Sequence, residues 1–497
     1  MSPPPPRIVV SLPARSVEDA ALQVVIAREG GADAAEIRVD RFPPADPRRL
    51  DHLFPSPLPL LATYRSRAEG GEGEDDPKAR RGVLLDLAAR PFRWIDLEVA
   101  RDREVVPLLP PPDRLGRIFS SHLRQGESDH WKERLGELEG VAGIGKLVVH
   151  ASVGDALRDL APHASRVGSQ LVIHTTGPSG PLFRAWARRF GFPFVYAALP
   201  AASGVAPVEP SQVGVDRLRS FLDAEEHPPL FAVCGRPVDH SRSPAIHSTW
   251  MEEDGRCGLY VALEFADDQE FVEALGPLSE GGFRGLNVTR PFKAVAAQAA
   301  AELGPGARAC GVANCLAFRD AGVTAENTDL LAVLRRLEEL RASGHWDGES
   351  LAVIGAGGAA RATLAAAREI GVRASVYARR PAAARELADQ FGATVGTLSH
   401  ATPASLVVHA TDVGRSETST LDVAMAPLLS ARSHLLDWVY APGSPVIRQM
   451  AESAAASYED GWRLLVYQAA ASYEIWWGSP PGDASVARMV AEGPCAE

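Results

Sequence analysis

Between Arg7 and about Leu222 short apolar runs alternate with amphipathic stretches. The runs at 8–12, 35–39, 58–64, 93–99, 117–122, 145–150, 170–175 and 192–198 read as strands. Segments 16–28, 78–90, 129–138 and 184–190 space apolar residues at helical intervals. Eight such βα units predict an N-terminal (β/α)8 TIM barrel, whose chemistry gathers at the C-terminal ends of its strands. A doubly wound sheet produces the same alternation. Residues 223–229, charged and proline-rich without periodicity, read as a short stiff linker.

The second half reads as a two-lobed α/β unit. Its most legible stretch is Leu351-Ala-Val-Ile, then Gly355-Ala356-Gly357-Gly358-Ala359-Ala360, then an alanine-rich run to Arg368. A buried strand, a tight glycine turn and a helix in that order suit a pyrophosphate: glycine lets the backbone approach it, and the N–H groups opening the helix carry partial positive charge. The next strand ends in Arg379-Arg380, where an NAD site has an acidic residue for the ribose. Arginine there suits a 2′-phosphate, so the expected cofactor is NADP(H). A helix–strand packing turn followed by a solvated arginine pair is the bland alternative. The pattern divides the chain into a barrel at 1–222, a linker at 223–229 and an α/β half, in which a family resemblance implies a substrate-binding lobe at 230–340 and a Rossmann lobe at 341–460. A helical segment at 461–497 should return to the substrate lobe.

Composition narrows the partners. A net charge of −12 with no dominant basic face argues against nucleic acid and leaves small anions open. The five cysteines show no C-x-x-C pair, which fits a reducing cytoplasm. The opening Met1-Ser-Pro-Pro-Pro-Pro-Arg7 resembles neither a signal peptide nor a transit helix, and no apolar run is long enough to span a membrane. Oligomeric state is not legible.

One count changes the picture more. Of 51 basic residues only Lys78, Lys132, Lys146 and Lys293 are lysine. A lysine kept against such a bias toward arginine marks an amine that must lose a proton, which arginine does not do in a protein. Lys78 and Lys132 stand in charged surroundings; Lys146 and Lys293 stand in apolar or motif contexts.

Polar residues gather at the expected strand ends of the first half. Glu36 and Arg38 alternate on strand two, Arg65 ends strand three with Glu69 one turn on, His122 ends strand five, Lys146 lies on strand six and Arg184 follows strand seven. An amine, an imidazole, carboxylates and guanidiniums are what proton abstraction beside a ketone requires. The amine forms an imine, a base removes the neighbouring proton and an arginine holds a carboxylate. Guanidiniums around the amine would favour its neutral form.

Over residues 7–215 the chain resembles the type I 3-dehydroquinate dehydratases. The pieces are Glu36-Ile-Arg38-Val-Asp40, Thr63-Tyr-Arg65-Ser-Arg-Ala-Glu69-Gly-Gly, Ser121-His122, Gly145-Lys146 and Phe183-Arg184. The resemblance implies Lys146 as Schiff-base amine, His122 as general acid and base, Glu69 as its helper, and Glu36, Arg38, Arg65, Arg184 and Ser203 as binders. Leu123-Arg124 departs from the family's Asp-Phe after the histidine. The family's closing Ser-x-Pro-Gly-Gln loop, placed at 203–209, lacks its glutamine.

Two serines at a strand-to-helix turn, Ser241 and Ser243, offer hydroxyls and free N–H groups to a small carboxylate, or simply cap a helix. Asn287, Thr289, Lys293, Asn314 and Asp329 follow, with Thr328 or Asp329 also able to cap the next helix. Over 230–480 these stretches resemble the shikimate dehydrogenases. That implies Ser241, Ser243, Asn287, Thr289 and Asn314 as substrate binders, with Tyr440 and Gln468 also touching ligand. It also implies a Lys293–Asp329 catalytic pair, and a cofactor site at Gly355, Ala356, Gly357, Gly358, Ala359, Arg379, Arg380, Thr411 and Gly461. Glu326, Ala332, Ala378 and His409 depart from the family's usual glycines and asparagines. The joint expectation is dehydration of 3-dehydroquinate followed by NADPH-dependent reduction of 3-dehydroshikimate to shikimate. A sensor that binds these intermediates, or a reductase of quinate-type substrates, is the alternative.

Overall fold

The structure is a computed structural model that describes residues 7–43, 47–167, 170–224, 227–238, 240–411, 425–440 and 445–493. Glu225 and Glu226 of the expected linker, Cys495 and the opening six residues lie outside them. The chain divides into two compact units. The first holds residues up to Phe231 and Cys257–Gly282; the second holds Ala232–Arg236, His240–Arg256 and residues from Phe283 onward.

In the first unit every expected strand forms within two residues of its expected bounds. They are β1 (Arg7–Leu12), β2 (Ala34–Arg38), β3 (Leu60–Thr63), β4 (Trp94–Glu98), β5 (Gly116–Leu123), β6 (Ile144–His150), β7 (Leu171–Thr176) and β8 (Phe194–Ala197). The order β7-β6-β5-β4-β3-β2-β1-β8 follows the chain, with β8 beside β1. That succession selects the barrel; a doubly wound sheet would reverse its order at a switch point. One seam remains, between β7 and β8. There the main-chain N–H of Tyr196 donates to His174 Nε2 at 3.4 Å.

The barrel interior is polar where its strands carry the expected chemistry. Glu36, Arg65, Asp96, Glu98, Ser120, Lys146, His174 and Arg184 are all buried. Ionic groups out of water persist only when paired, and removing one partner of such a set costs about 3–5 kcal/mol. Beside Glu98, Arg80 and Asp102, both buried, form a two-pronged ion pair at 3.0 and 2.8 Å.

Strands β9 (Leu230–Gly235), β10 (Leu259–Glu264), β11 (Phe283–Val288), β12 (Glu302–Leu303), β13 (Cys315–Arg319) and β14 (Gly322–Glu326) follow. Within the second unit β11, β13, β14 and β12 lie side by side, antiparallel except for β12 on β14. The third sheet consists of β15 (Ser350–Ile354), β16 (Arg373–Tyr377), β17 (Thr394–Val395), β18 (Leu406–His409), β19 (His434–Asp437) and β20 (Ser457–Glu459). It is parallel throughout, in the order β17-β16-β15-β18-β19-β20. The order reverses at β15, and the crevice at such a reversal is where open α/β sheets take their ligands. A core of Ala352, Ile354, Val407, Leu428, Leu435 and Ile447 covers one face.

The helix Trp462–Trp477 packs against the helix Thr328–Ala342 and against β11 and β13. Among the described residues no helix is long and apolar enough to cross a membrane.

Candidate active sites

In the barrel, Lys146 stands third on β6, in register with Ser120 of β5. Its Nζ donates to Asp96 Oδ2 at 2.5 Å and lies 3.3 Å from the Tyr196 hydroxyl, with Glu36 Oε1 at 4.0 Å. The sequence reading set guanidiniums, Glu36 and Glu69 around this amine but not its nearest carboxylate. Asp96 and Glu98 on β4 were both missed. Their signal was present: two acids two residues apart in a strand share one face.

Asp96 also receives Arg65 Nη2 at 2.9 Å and the Ser120 hydroxyl at 2.6 Å. Burial alone would raise its carboxyl, but Arg65 and Lys146 outweigh it and hold Asp96 down to about 2. Arg65 further donates to Glu69 at 3.1 Å and Ser120 at 2.9 Å, and sits 3.4 Å from Glu98. Nη1 and Nη2 of this guanidinium are thus both engaged by the protein.

His122 lies near the C-terminal end of β5. Glu69 Oε2 accepts its main-chain N–H at 3.1 Å and lies 3.0 Å from its ring Nδ1. Burial, reinforced by Arg65 and Lys146, drives the imidazole well below its ordinary range, so the ring is neutral. A neutral ring with Nδ1–H on Glu69 presents Nε2 as a base. Glu69 itself is pushed up to about 7, chiefly by burial, with Arg65 acting against it.

Glu36 accepts from the Ser11 and Thr63 hydroxyls, the latter at 2.7 Å. Arg38 is held by Asp40 through two bonds at 2.9 and 2.8 Å. Arg184, fully buried, donates to the carbonyls of Thr175 and Tyr196 at 3.1 and 3.3 Å, with Glu209 at 3.6 Å. Ser203 Oγ accepts the Val205 N–H in a turn. Sequence reasoning passed over Gln212, three residues beyond the loop it chose. Pro210-Ser211-Gln212 has the Pro-x-Gln spacing of the family's closing loop. Gln212 Oε1 is buried and, among the described residues, lacks a hydrogen-bond partner. A buried amide oxygen of this kind is completed by water or by a ligand.

The second unit builds a different centre. Asn327, not Thr328 or Asp329, caps the helix Thr328–Ala342: its side chain accepts the Leu330 N–H at 3.0 Å. Asp329 is thereby free for Lys293, whose Nζ lies 2.6 Å from Oδ2, while Asn314 Nδ2 donates to Oδ1 at 2.8 Å. The amide oxygen of Asn314, Oδ1, accepts the Thr328 N–H at 2.7 Å, which fixes which way the amide faces. Gln468, from the returning helix, has Oε1 3.5 Å from Asn314 Nδ2 and Thr328 Oγ1. Asn287 donates to Ser472 on the same helix at 2.8 Å. Ser243 is buried at the start of the helix Ser243–Glu253, and its N–H donates to Ser241 Oγ at 3.3 Å. Thr289 and Tyr440 are half-buried.

The cofactor stretch falls at the reversal of the third sheet. Gly355 adopts φ +129, and a Cβ there would stand 2.4 Å from the Ala410 carbonyl oxygen, so only glycine fits. Gly357 precedes the helix Gly358–Glu369 with open space where a Cβ would be. A Cβ on Gly358 would meet Lys293 Cδ at 2.9 Å, so loop and lysine adjoin. Arg379 and Arg380 are exposed after β16. His409 spans from Asp437 Oδ1 (Nδ1, 2.8 Å) to Thr411 Oγ1 (Nε2, 2.6 Å), tying β18 to β19. Glu326 accepts the N–H groups of Ala307 and Asn327 at 2.8 and 2.7 Å, a structural use for that departure. Gly461 packs against the Trp438 carbonyl, where a Cβ would come within 2.4 Å.

Comparison with known proteins agrees with both halves. A family model described as type I 3-dehydroquinase matches residues 8–228, and one for the shikimate dehydrogenase substrate binding domain matches 233–316. The chloroplastic bifunctional 3-dehydroquinate dehydratase/shikimate dehydrogenase of Arabidopsis thaliana is 27% identical over 509 residues, spanning 96% of this chain and 83% of that one. A shikimate dehydrogenase (NADP(+)) of Sinorhizobium fredii is 39% identical over 264 residues, 50% of this chain and 89% of its own. The solved dehydroquinate dehydratase and shikimate dehydrogenase from S. pombe is 23% identical, with 98% of each chain covered and a TM-score of 0.44. The chain belongs to the shikimate dehydrogenase family over its second half and carries a type I 3-dehydroquinase ahead of it.

Proposed function

We propose that this chain performs two consecutive steps of the shikimate pathway: dehydration of 3-dehydroquinate to 3-dehydroshikimate, then NADPH-dependent reduction to shikimate. The observation that carries this is the pair of lysines, each set against one carboxylate in a different unit, at 2.5 Å on Asp96 and 2.6 Å on Asp329.

In the barrel, Lys146 Nζ adds to the substrate ketone and expels water, leaving an iminium that withdraws electrons from the neighbouring carbon. His122 Nε2 removes a proton from that carbon and returns it to the hydroxyl that leaves as water. Hydrolysis of the imine frees the product. Glu69 holds the ring by Nδ1, Arg184 offers charge to the carboxylate, and Glu36, Arg38 and Gln212 face the remaining polar groups. Ser203 contacts the substrate from the closing loop.

In the second unit Lys293, its charge balanced by Asp329, polarises the ketone oxygen and delivers its proton. Ser241 and Ser243 take the carboxylate; Asn287, Thr289, Asn314, Tyr440 and Gln468 take the hydroxyls. The residues fit NADP(H): the glycine turn leaves room for a pyrophosphate at the start of a 12-residue helix, and Arg379 and Arg380 suit a 2′-phosphate. Bound NADPH supplies the hydride. The proposed division is barrel 1–222, substrate lobe 230–340, cofactor lobe 341–460 and returning segment 461–497. Free buried thiols at Cys234, Cys310 and Cys315 support a cytoplasmic location.

Adding 3-dehydroquinate and NADPH together tests both steps: NADPH absorbance should fall with no other enzyme present. No fall with 3-dehydroquinate, alongside normal reduction of 3-dehydroshikimate, would reduce the barrel to a binding module.

A further inference from the structure

Water must leave when an amine condenses with a ketone, and both of its hydrogens come from the ammonium if nothing else is consumed. Starting from an ammonium and a carbonyl, two protons move from nitrogen to oxygen before the C–O bond breaks. The group that carries them must touch the nitrogen and be able to give and take a proton in one motion. At Lys146 two oxygens lie within hydrogen-bond reach of Nζ: Asp96 Oδ2 and the hydroxyl of Tyr196. Asp96 is a poor carrier. Although burial acts to raise its carboxyl, Arg65 and Lys146 hold it down to about 2, and it is already bonded to Arg65 and Ser120.

Tyr196 has the complementary properties. It stands on β8, buried, with its ring face 4.8 Å from Lys146 Nζ and its hydroxyl 3.3 Å away. Burial, with Glu36 and Asp96 nearby, pushes the phenol well above its ordinary range, so it is neutral before and after any exchange. Its backbone is fixed at the open seam of the barrel by its N–H on His174 Nε2. His174 is itself buried, sits edge-on to the Tyr196 ring with centroids 5.8 Å apart, and leaves Nδ1 without a partner among the described residues. A second imidazole in register with Val148, as His122 is on the other side, closes the seam with a polar group where an apolar one would pack.

We propose that Tyr196 is a catalytic residue of imine formation, relaying the two ammonium protons of Lys146 to the substrate oxygen, with His174 as its positioning residue. In the first passage Nζ gives a proton to the phenol oxygen as the phenol proton passes to the carbonyl oxygen. The freed lone pair then forms the C–N bond and gives a carbinolamine. In the second, the nitrogen of the carbinolamine gives a proton by the same route to the hydroxyl. Water leaves, the nitrogen lone pair closes C=N, and Tyr196 ends as it began. No oxidant, reductant or outside proton is used.

This rests on the Schiff-base reading above, and its test separates the two. The full chain and Tyr196→Phe are mixed with 3-dehydroquinate, and imine is trapped by borohydride at timed intervals in H2O and D2O. The wild type must trap at Lys146; if it does not, the Schiff-base reading itself falls. Given that, Tyr196→Phe should trap about 10²-fold more slowly, with its solvent isotope effect lowered and KM for 3-dehydroquinate little changed. His174→Met should slow trapping less and leave the isotope effect in place. Trapping by Tyr196→Phe at the wild-type rate and isotope effect overturns the relay, as does a rate loss matched by a KM rise of the same size.

Discussion

One carboxylate oxygen of Glu69 lies 3.0 Å from the ring Nδ1 of His122 and 3.1 Å from the same residue's main-chain nitrogen, whose N–H it accepts. Side chain and backbone are thus indexed to a single atom, which leaves the imidazole one orientation. Because the ring is neutral, its ability to act as base depends on Glu69 being ionised to hold Nδ1–H.

That dependence gives a pH prediction. Glu69 is raised from 4.5 to about 7, chiefly by burial. The dehydratase kcat/KM should therefore rise with pH through about 7, and Glu69→Gln should lose this limb along with most activity. The stability sign is opposite. Between 4.5 and about 7 the unfolded chain has released a proton that the folded chain retains, so folding stability falls as pH rises across that window. Glu69→Gln should flatten that fall, as read by melting temperature against pH.

Asn327 and Asp329 separate a cap from a chemical group. Asn327→Ala should cost about 2 kcal/mol of stability, a lost cap and a lost bond to the Val312 carbonyl, and leave the reductase rate nearly unchanged. Asp329→Asn should melt near the wild type but lower reductase kcat about 10²-fold, because Lys293 loses its counter-charge. Equal rate losses in both variants would assign Asp329 to the helix instead.

Arg379 bears on cofactor choice. Arg379→Ala should raise KM for NADPH about 10- to 100-fold, the worth of a lost charge-assisted bond, and leave KM for NADH alone. Equal changes for both cofactors would remove the arginine from the 2′-phosphate.

Gln212 is the proposed contact the sequence reading did not choose. Gln212→Ala should raise KM for 3-dehydroquinate about tenfold, near 1.4 kcal/mol, with melting unchanged or improved, since a buried unpartnered oxygen is removed. A melting loss with constant KM would make it structural.

The strands were legible because each is a short apolar run bounded by turn residues, and pairing in chain order then needs no further information. Eight βα units already favoured a barrel over a doubly wound sheet, and β8 lying on β1, a contact between residues nearly 190 apart in sequence, bears that out. The lysines stood out because arginine replaces lysine almost everywhere else. Asp96 and Glu98 escaped notice because two acids on one face of a strand look like a solvated face until Arg65, just past β3, and Lys146, on β6, are brought to them. Asn327 escaped for a local reason: three consecutive residues could each have capped the helix, and only backbone geometry chooses among them.

The most direct test exchanges each amine for a group that keeps the charge and gives up the proton transfer. Lys146→Arg and Lys293→Arg are assayed separately with 3-dehydroquinate and with 3-dehydroshikimate plus NADPH. Lys146→Arg should lose dehydration and still reduce 3-dehydroshikimate at the wild-type rate; Lys293→Arg should show the reverse. Either variant running its own half-reaction at full speed would contradict the account.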